Sequence, residues 1–448
     1  MARSSRAPLL VVLAVALAAS ATISALDKQS NTPPSSGSLT SSKNAESTAL
    51  YCTGLSDARH HAPGRVTFVN TSNSKRSLDV QVVSNTASRA SKTIELAAHG
   101  SLSIQPQSFA SGNYFAVAVQ VSGGGVVAEE VANGGDTQTP CTSAGVTDWF
   151  GAGFNTSVGS SAVLDLYNPT ATPAVFNASI YGPGGFSAPA PFQGMAVSAH
   201  SLVALNLGAQ IVNTDNVGVH VKVLRGSLII VGAQTTNLVT SFNAGSAQVS
   251  KSIWFPRVTT VSGALAQLRV FNMSSLPADI TAQVSLGSYK ITPETSTVAP
   301  YSSGVVTITP NSAIPAAGYA AVTLTSSEPV AAALATGTTS GLALAAPVVP
   351  SNEFIVSDFS GQGFDAATIT NTAKKPITVT FSVVGTNGSS STQLQGSSTL
   401  DILHAYSGLS TLKGHTLLIA SSKSSLVVAT TLPTRPAGIV VVNPLDRR

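Results

Sequence analysis

The chain has 448 residues, of which 43% are hydrophobic, 6% aromatic and only 9% charged, against a usual charged fraction of roughly 25%. Its 23 basic and 19 acidic residues leave a net charge of +4. This charge is spread thinly, without a basic stripe interleaved with aromatic residues, so we expect no nucleic acid partner. The length predicts about three or four domains, and the surface rich in Ser, Thr, Gly and Asn is typical of β-proteins outside the cytoplasm.

The first segment, residues 1–27, predicts export. Arg3 and Arg6 precede an apolar run from Ala7 to Leu26, which is the order of a signal sequence. Small residues in Ala19-Ser20-Ala21 provide a cleavage site, while the run of about 20 residues is also long enough to span a bilayer. A cleaved signal and a retained membrane anchor therefore both remain open. Either one places the rest of the chain outside the cytoplasm, in the membrane-anchored or the secreted form.

The segment 28–49 is rich in Ser, Thr, Pro and Asn and has hardly any apolar side chain. Such a segment cannot bury enough surface to offset the entropy of ordering. We predict a disordered spacer between the export segment and the folded part of the chain.

After the spacer, one pattern occurs four times: an alternating apolar run, an Asn, a polar or proline-containing turn, and a second alternating run. Examples are "VTFVNTSNSKRSLDVQV" and "VLDLYNPTATPAVFNASI". The four asparagines are Asn70, Asn168, Asn272 and Asn371, with spacings of 98, 104 and 99 residues. The pattern predicts four tandem repeats, with the asparagine ending a strand and hydrogen-bonding its local backbone as a structural residue.

A second marker has the same period. A characteristic pair of residues stands about 18 positions before each asparagine. The four pairs are Tyr51-Cys52, Trp149-Phe150, Trp254-Phe255 and Glu353-Phe354. The two markers divide the chain into repeat 1 (50–147), repeat 2 (148–251), repeat 3 (252–350) and repeat 4 (351–448). We interpret Trp149 and Trp254, which lie at repeat boundaries, as residues that pack in a core or between domains.

Period-two alternation predicts seven short strands in repeat 2, between residues 148 and 234, and no helix. Seven strands in about one hundred residues are typical of an immunoglobulin-like β-sandwich. The predicted fold is thus all-β, with four tandem immunoglobulin-like sandwiches. A β-propeller is the alternative, although its blades have four strands and about 40 to 50 residues. The last two predicted strands of repeat 2 are expected to form a hairpin across Arg225-Gly226.

The chain contains two cysteines, Cys52 and Cys141. In an oxidising compartment an isolated pair usually forms one disulfide, which we predict here. A metal site is the alternative, but the two cysteines lack CxxC spacing and have no histidine motif beside them.

We interpret the histidines as loop or surface residues. One repeat position holds His99, His200, Tyr301 and, in repeat 4, the region His404 to Tyr406. Equivalent positions in successive domains should lie a domain length apart, so they predict no metal site. His60-His61 precedes a strand, and His220 and Lys222 alternate with valines, so their side chains should face solvent.

Each candidate catalytic or cofactor motif in the sequence lacks the structural context that it requires. "GQGFDA", from Gly361 to Ala366, matches the dinucleotide fingerprint, but a predicted strand follows it where the fingerprint needs a helix. Glu129-Glu130 is an adjacent acidic pair, but the two side chains alternate across a strand, so at most one faces any cleft. We therefore predict no catalytic residue, no metal site and no cofactor.

Several stretches together resemble a known family. "LYCTG", "WFGAGF", "IWFPRV", "MAVSAHSLVALNLG" and "VGVHVKVLRGSLIIVGAQ" look like DUF5719, a family of actinobacterial envelope proteins of unknown function. The resemblance extends over nearly all of the chain after the spacer and is strongest in repeats 1 and 2. It implies an extracytoplasmic location and no activity, and the pairing of Cys52 with Cys141 agrees with it.

From these observations we expect a non-catalytic scaffold or interaction module of the cell envelope, with an envelope protein or a cell-wall polysaccharide as partner. A glycan-binding protein of the cell wall is the alternative. A wall-acting hydrolase is a third hypothesis, which would need two acidic residues that converge in one cleft.

Overall fold

The computed structural model describes residues 46–57, 59, 62–132, 137–236, 239–259, 265–291, 293–308, 319–338, 341–357, 366–386, 388–402, 416–431 and 439–441. The predicted export segment 1–27 and nearly all of the predicted spacer 28–49 lie outside these residues. All described strands belong to one unit by contact, Ser36–Arg448.

Repeat 1 consists of two antiparallel sheets, in the orders β1-β6-β3-β4 and β5-β2-β7-β8. Its strands are β1 (Ser47–Ser56), β2 (Gly64–Asn70), β3 (Arg76–Ser84), β4 (Arg89–Leu96), β5 (Ser101–Ile104), β6 (Tyr114–Ser122), β7 (Val126–Ala132) and β8 (Gln138–Pro140). The first strand begins three residues before the predicted start of the repeat.

Repeat 2 has the same plan, with sheets in the orders β14-β10-β16-β17 and β12-β11-β15-β9, and β13 paired with β11. Its strands are β9 (Asp148–Phe154), β10 (Ser160–Tyr167), β11 (Ala174–Gly182), β12 (Gly185–Ser187), β13 (Met195–Val197), β14 (Leu202–Asn206), β15 (Val217–Arg225), β16 (Ile229–Thr236) and β17 (Val239–Asn243). The seven predicted strands are all present, and β12 and β17 are additional.

Repeats 3 and 4 complete the described fold. Repeat 3 contains β18 (Ser250–Thr259), β19 (Leu265–Asn272), β20 (Ala278–Leu286), β21 (Tyr289–Lys290), β22 (Glu294–Val298), β23 (Ser302–Thr307), β24 (Tyr319–Thr338) and β25 (Gly341–Ala345). Repeat 4 contains β26 (Glu353–Ser357), β27 (Ala366–Asn371), β28 (Ile377–Val383), β29 (Ser389–Leu394), β30 (Thr399–Asp401), β31 (Thr416–Ser421), β32 (Leu426–Thr431) and β33 (Ile439–Val441). Short 3₁₀ turns lie at Pro106–Ser108, Ala190–Phe192 and Leu207–Ala209.

The all-β prediction of tandem sandwiches is confirmed. The reason is visible in β11, where Ala174, Phe176, Ala178 and Ile180 alternate with more exposed residues and pack into the core of repeat 2. Each half-apolar sheet buries its face against a second sheet, as sandwich packing requires, so the architecture is not that of a propeller.

The pairing of strands shows a variation on the immunoglobulin order. In repeat 1, β2 pairs with β5 and β3 pairs with β6, as the corresponding immunoglobulin strands do. In contrast, β1 pairs with β6 and β7 pairs with β2, so the first and seventh strands have exchanged sheets. Repeats 2 and 4 have the same pairings.

The predicted hairpin across Arg225-Gly226 is wrong. Here β15 pairs with β11 and β9, whereas β16 pairs with β10 and β17, so the chain changes sheet at this turn. In repeat 3 the change of sheet takes place inside one strand, β24, whose first half pairs with β20 and whose second half pairs with β19. Alternation predicts which side chains face the core but not which neighbour a strand takes.

The repeated asparagine makes the same hydrogen bonds in all four repeats, where it is fully buried. The amide of Asn168 donates to the carbonyls of Thr172, Val197 and Ser198 at 2.8, 3.0 and 3.2 Å, and its Oδ1 accepts from the N–H of Thr170. The corresponding bonds of the other repeats are made by Asn70, Asn272 and Asn371. One side chain therefore hydrogen-bonds backbone groups in two turns, the one after the second strand and the one before the fifth.

Replacing Asn168 with Ala should lower the free energy of unfolding by about 2–4 kcal/mol, because it leaves three backbone carbonyls and one N–H without this partner. Denaturant unfolding of the full chain measures the change. Asn177→Ala is the matched control in the same repeat, since the Asn177 side chain is partly exposed and accepts one hydrogen bond, from the N–H of Gly194. Equal losses in the two variants would contradict the structural role.

The disulfide prediction is confirmed. Cys52 on β1 is bonded to Cys141, which follows β8, and both side chains are buried in the core of repeat 1. The bond attaches the first strand of the repeat to its last segment.

Each repeat contacts the next one along the chain, and repeat 4 contacts repeat 1. Val231 of repeat 2 packs into the core of repeat 1, and Ala335 of repeat 3 packs into that of repeat 2. Trp254 of repeat 3 packs against the core of repeat 4, while Trp149 lies in the core of repeat 2 and donates its Nε1–H to the carbonyl of Ala244. Ile355 of repeat 4 packs against Val69, Val127 and Val131 of repeat 1. Contacts between repeats 1 and 4 thus close the series.

Candidate functional site

A groove with a volume of about 490 Å³ lies on the outer face of the β1-β6-β3-β4 sheet. Its floor consists of two rows of residues that stand directly opposite one another across the sheet. The first row is Tyr51, Ala118, Gln81 and Ser91, and the second is Ala49, Gln120, Asp79 and Thr93. The two alanines produce the hollow between the larger side chains.

The polar side chains of the floor have unused hydrogen-bonding capacity. Asp79 accepts a 2.7 Å bond from the Thr93 hydroxyl. The amides of Gln81 and Gln120 make no side-chain hydrogen bond within the described residues, and Gln120 is exposed. Each amide offers two donors and an acceptor, so the floor presents both kinds of group to a ligand.

Repeat 2 supplies one wall of the groove through Tyr167, Pro169 and His200, and Lys92 lines the groove on β4. The ring centroids of Tyr51 and Tyr167 are 6.2 Å apart, which brings the two repeats together at one end. The groove therefore exists only when repeat 2 is packed against repeat 1.

The two tyrosines at this end remain protonated donors at neutral pH. Burial raises the pKa of Tyr51. For Tyr167, burial and the neighbouring Tyr51 raise the pKa to about 12, with Arg89 acting in the opposite direction. Neither ring carries charge under physiological conditions.

The equivalent face of repeat 2 is filled. His220 and Lys222 stand where repeat 1 has Ala118 and Gln120, and the His220 ring stacks on Phe150 at a centroid distance of 4.5 Å. Asp148 accepts from Lys222 at 3.0 Å and lies 3.0 Å from His220 Nε2. This comparison within one chain shows that the hollow is a property of repeat 1.

The prediction for His220 and Lys222 needs refinement. Both face away from the core, but the His220 side chain is only 15% exposed and is held between Phe150 and Asp148. Burial lowers the pKa of His220, and the hydrogen bond to Asp148 opposes this effect. The strand pattern gave no sign of the ring or of the carboxylate that pack on the histidine.

The family model DUF5719, described as a family of unknown function, matches residues 132–343. The match supports the resemblance to DUF5719 in this part of the chain. The DUF5719 region runs from the end of β7 to β25 and so contains repeats 2 and 3, which is narrower than the nearly complete chain that the resemblance implied. The wall of the groove lies inside the DUF5719 region, and its floor precedes it.

Other comparisons add little to the DUF5719 match. No curated protein matches the sequence. A solved tetra-tandem repeat from the extending region of a large adhesion protein is 12% identical, with a TM-score of 0.11 over 90% of this chain and 97% of that one. The α-L-rhamnosidase of Streptomyces avermitilis, solved with L-rhamnose, is 9% identical, with a TM-score of 0.14 over 83% of this chain and 55% of that one. Scores this low support no argument about fold or function.

Three acidic side chains are buried on β7 of repeat 1 and β10 of repeat 2. Glu129, Glu130 and Asp165 are 5%, 1% and 0% exposed, and burial raises the pKa of each well above its usual value. Glu129 and Glu130 alternate across β7 as predicted, but sequence reasoning missed their burial and overlooked Asp165. Alternation places Asp165 outside the core of its own sandwich, and repeat 1 covers it there.

The remaining candidate residues occupy turns or lie outside the described part of the chain. His99, His200 and Tyr301 all have left-handed backbone, and Ser397 takes this position in repeat 4, so the expected region His404 to Tyr406 is not its equivalent. The reason is that Asn371 binds the carbonyls of Leu394 and Gln395, directly before Ser397. The undescribed candidates are His60-His61, His404 to Tyr406, Gly361 and Gly363.

Among the described residues, no group of three or more His, Cys, Asp or Glu side chains is arranged to hold a metal ion. In the same part of the chain, no helix is long and apolar enough to cross a membrane.

Proposed function

We propose that the protein is a non-catalytic binding protein of the cell envelope that holds a glycan in the groove between repeats 1 and 2. The observation that supports this function is the floor of the groove, where Gln81, Gln120 and Asp79 surround a hollow lined by small residues. Sugars present many hydroxyl groups, and side-chain amides and carboxylates match their alternating donors and acceptors.

The dimensions and charge of the groove favour a neutral glycan. Its volume falls in the range of roughly 300–1,000 Å³ that is common for ligand sites. The floor carries one acidic residue, Asp79, and one cation, Arg89, acts on Tyr167 in the wall, so neither a strongly anionic nor a strongly cationic ligand is favoured. Tyr51 adds a partly exposed ring, whose apolar face suits the C–H face of a sugar.

An extracytoplasmic location is part of the proposal. It is supported by the basic and apolar order of residues 1–27 and by the disulfide between Cys52 and Cys141, since such bonds persist in oxidising compartments. The groove is proposed to lie outside the cytoplasm both when residues 1–27 stay as a membrane anchor and when they are removed.

A protein partner is the second candidate. Phe186 and Tyr301 lie at the junction of repeats 2 and 3 and are 52% and 45% exposed, with ring centroids 6.5 Å apart. Exposed aromatic rings are common anchors of protein interfaces. Pull-down of separated polysaccharide and protein fractions of the envelope on the immobilised full chain distinguishes the two functions, because a glycan-binding protein retains the first fraction and a protein scaffold the second.

Filling the hollow should abolish glycan binding. Ala118→His introduces the residue that fills the equivalent face of repeat 2, so it adds bulk with a side chain that this fold accommodates. Gln81→Ala and Gln120→Ala should each weaken binding about three- to tenfold, as expected for one lost hydrogen bond. Calorimetric titration of the full chain with maltohexaose, cellohexaose and chitohexaose measures these affinities.

The matched control is Gln393→Ala, which removes an exposed glutamine on the corresponding sheet of repeat 4. Its affinity should equal that of the unaltered chain. Undiminished binding in Ala118→His would exclude the groove as the site. No binding of the three hexasaccharides or of the polysaccharide fraction would overturn the glycan-binding function itself.

A further inference from the structure

Glu130 and Asp165 form a buried acidic pair at the junction of repeats 1 and 2. None of their four carboxyl oxygens has a hydrogen-bond partner, and the charges of the two groups interact. The Thr53 hydroxyl on β1 is also fully buried without a partner. Buried polar groups are almost always paired, so this cluster needs a physical explanation.

Both repeats contribute residues to this cluster. Asp165 lies on the face of repeat 2 that packs on repeat 1, and its strand neighbour Val231 packs into the repeat 1 core. At Gly54, where β1 contains a bulge, an added side chain would stand 2.9 Å from Val231 Cγ1 and 3.2 Å from Glu130 Oε2. The glycine therefore allows the Glu130 carboxyl and repeat 2 to approach the same point of the backbone.

The cluster lies directly behind the groove. Asp165 is two residues from Tyr167 on the same face of β10, and Thr53 is two residues from Tyr51 on the same face of β1. The two tyrosines meet at the end of the groove. A displacement of β10 from β1 at Asp165 would consequently move the wall of the groove away from its floor.

Among the described residues, no cation acts on either carboxyl group of the pair. Tyr114 on β6 interacts with Asp165 and with Asp57, and β8, β14 and β16 carry no titratable side chain. Arg65 on β2 lies on the face opposite to Glu130, on the side of Glu129. Farther along β10, Arg89 acts on Tyr167.

At the junction of repeats 2 and 3, a buried charged side chain is paired with a group of opposite charge. There the buried Arg269 of repeat 3 forms an ion pair with Asp215 of repeat 2 and donates to the carbonyl of Gly153 at 3.1 Å. At the junction of repeats 1 and 2, the part of the chain that the structure describes places buried carboxyl groups without such a cation.

We propose that protonation of Glu130 and Asp165 keeps repeats 1 and 2 packed together and thereby sets the affinity of the groove, so that the groove binds its ligand in acid and releases it as the pH rises. This inference depends on the proposed function for its ligand but not for the movement of the junction. In the closed junction a neutral carboxyl group is tolerated, whereas an ionised one is buried without a counter-charge.

The sign of the effect follows from the direction of the pKa shifts. Burial raises the pKa of both groups, from usual values of 4.5 for Glu130 and 3.8 for Asp165, and Asp165 raises that of Glu130 further. The closed junction thus holds protons that an open junction has already lost. Above the usual values, increasing pH favours the open junction and weakens binding.

The test combines two measurements on the full chain between pH 4.5 and 7.5. Affinity for the tightest-binding of the three hexasaccharides should fall at least about tenfold as the pH rises. Hydrogen exchange of peptides from β1 and β10, corrected for the intrinsic pH dependence of exchange, should show loss of protection over the same range without any glycan. In the double variant Glu130→Gln, Asp165→Asn, which imitates the protonated groups, both properties should become independent of pH.

Asp279→Asn is the control, because this carboxylate is exposed on β20 of repeat 3, away from the junction of repeats 1 and 2, and accepts from Thr297. It should retain the pH dependence. Unchanged pH dependence in the Glu130 and Asp165 variants would overturn the proposal, and so would a response to added Na⁺ or Ca²⁺ in place of pH. If no glycan binds, the proposed function fails, and the exchange measurement alone decides whether protonation controls the junction.

Discussion

The double variant Cys52→Ala, Cys141→Ala is expected to lose about 4–5 kcal/mol of unfolding free energy. The disulfide joins residues 89 positions apart, and the chain-entropy model gives about 3 kcal/mol for a 15-residue loop and about 4.7 kcal/mol for a 100-residue loop. Removing both sulfur atoms also leaves a small cavity, because the two side chains are buried in the core. Denaturant unfolding of the full chain under non-reducing conditions measures the loss.

The position of the bond should make the loss extend beyond repeat 1. Cys141 is attached to β8, and the segment after it hydrogen-bonds to β1 through Tyr51 and Thr142. On the preceding side, the Thr137 hydroxyl donates to the carbonyl of Thr240 in repeat 2. We therefore expect faster hydrogen exchange in β8 and β17 as well as in β1.

Reduction of the unaltered chain should reproduce the effect, which makes reduced wild-type protein the matched control. If the double variant and the oxidised protein unfold at the same denaturant concentration, the bond adds no stability. Such a result would show that closing this loop does not restrict the unfolded chain enough to change its stability.

The architecture could be read from the sequence because it depends on local regularities. The strands of repeat 2 follow from alternation, and the position of Asn168 follows from its recurrence, since one asparagine serves the same two turns in every repeat. The markers were less exact. They aligned Tyr51 with Trp149, yet Tyr51 faces outward and Trp149 faces the core, because a shift of one residue reverses the face of a strand.

The groove and the acidic pair could not be predicted, because they depend on contacts between repeats. The floor requires the register of β1 against β6 and of β6 against β3, which joins Tyr51 to Gln81 through Ala118. Alternation assigns Asp165 to the outer face of its sandwich. In an isolated domain this face would be exposed to solvent. The covering of that face by repeat 1 leaves no trace in the local sequence of β10.

Stability should fall as the pH rises from about 4.5, and neutralising Glu130 and Asp165 should reduce this dependence. Burial raises the pKa of Glu129, Glu130 and Asp165 in the folded chain, so the folded state binds more protons than the unfolded state once the pH exceeds their usual values of 4.5 and 3.8. The slope of unfolding free energy against pH is therefore negative from these values up to the raised pKa of each group. Below them all three groups are protonated in both states, and their contribution is greatest and constant.

At pH 7 the variant Glu130→Gln, Asp165→Asn should be more stable than the unaltered chain by about 3–5 kcal/mol, the usual penalty for an uncompensated buried charge. At pH 4 the two proteins should differ by much less, because the carboxyl groups are then neutral in the native protein too. The exposed control Asp279→Asn should change stability by no more than about 0.5 kcal/mol at either pH. Denaturant unfolding at both pH values tests the prediction, and a double variant that is less stable than wild type at pH 7 would mean that the ionised carboxylates have partners in solution. Glycan titration of the same double variant separates stability from binding, because a stabilised variant that still binds glycan only in acid would exclude Glu130 and Asp165 as the pH sensor of the groove.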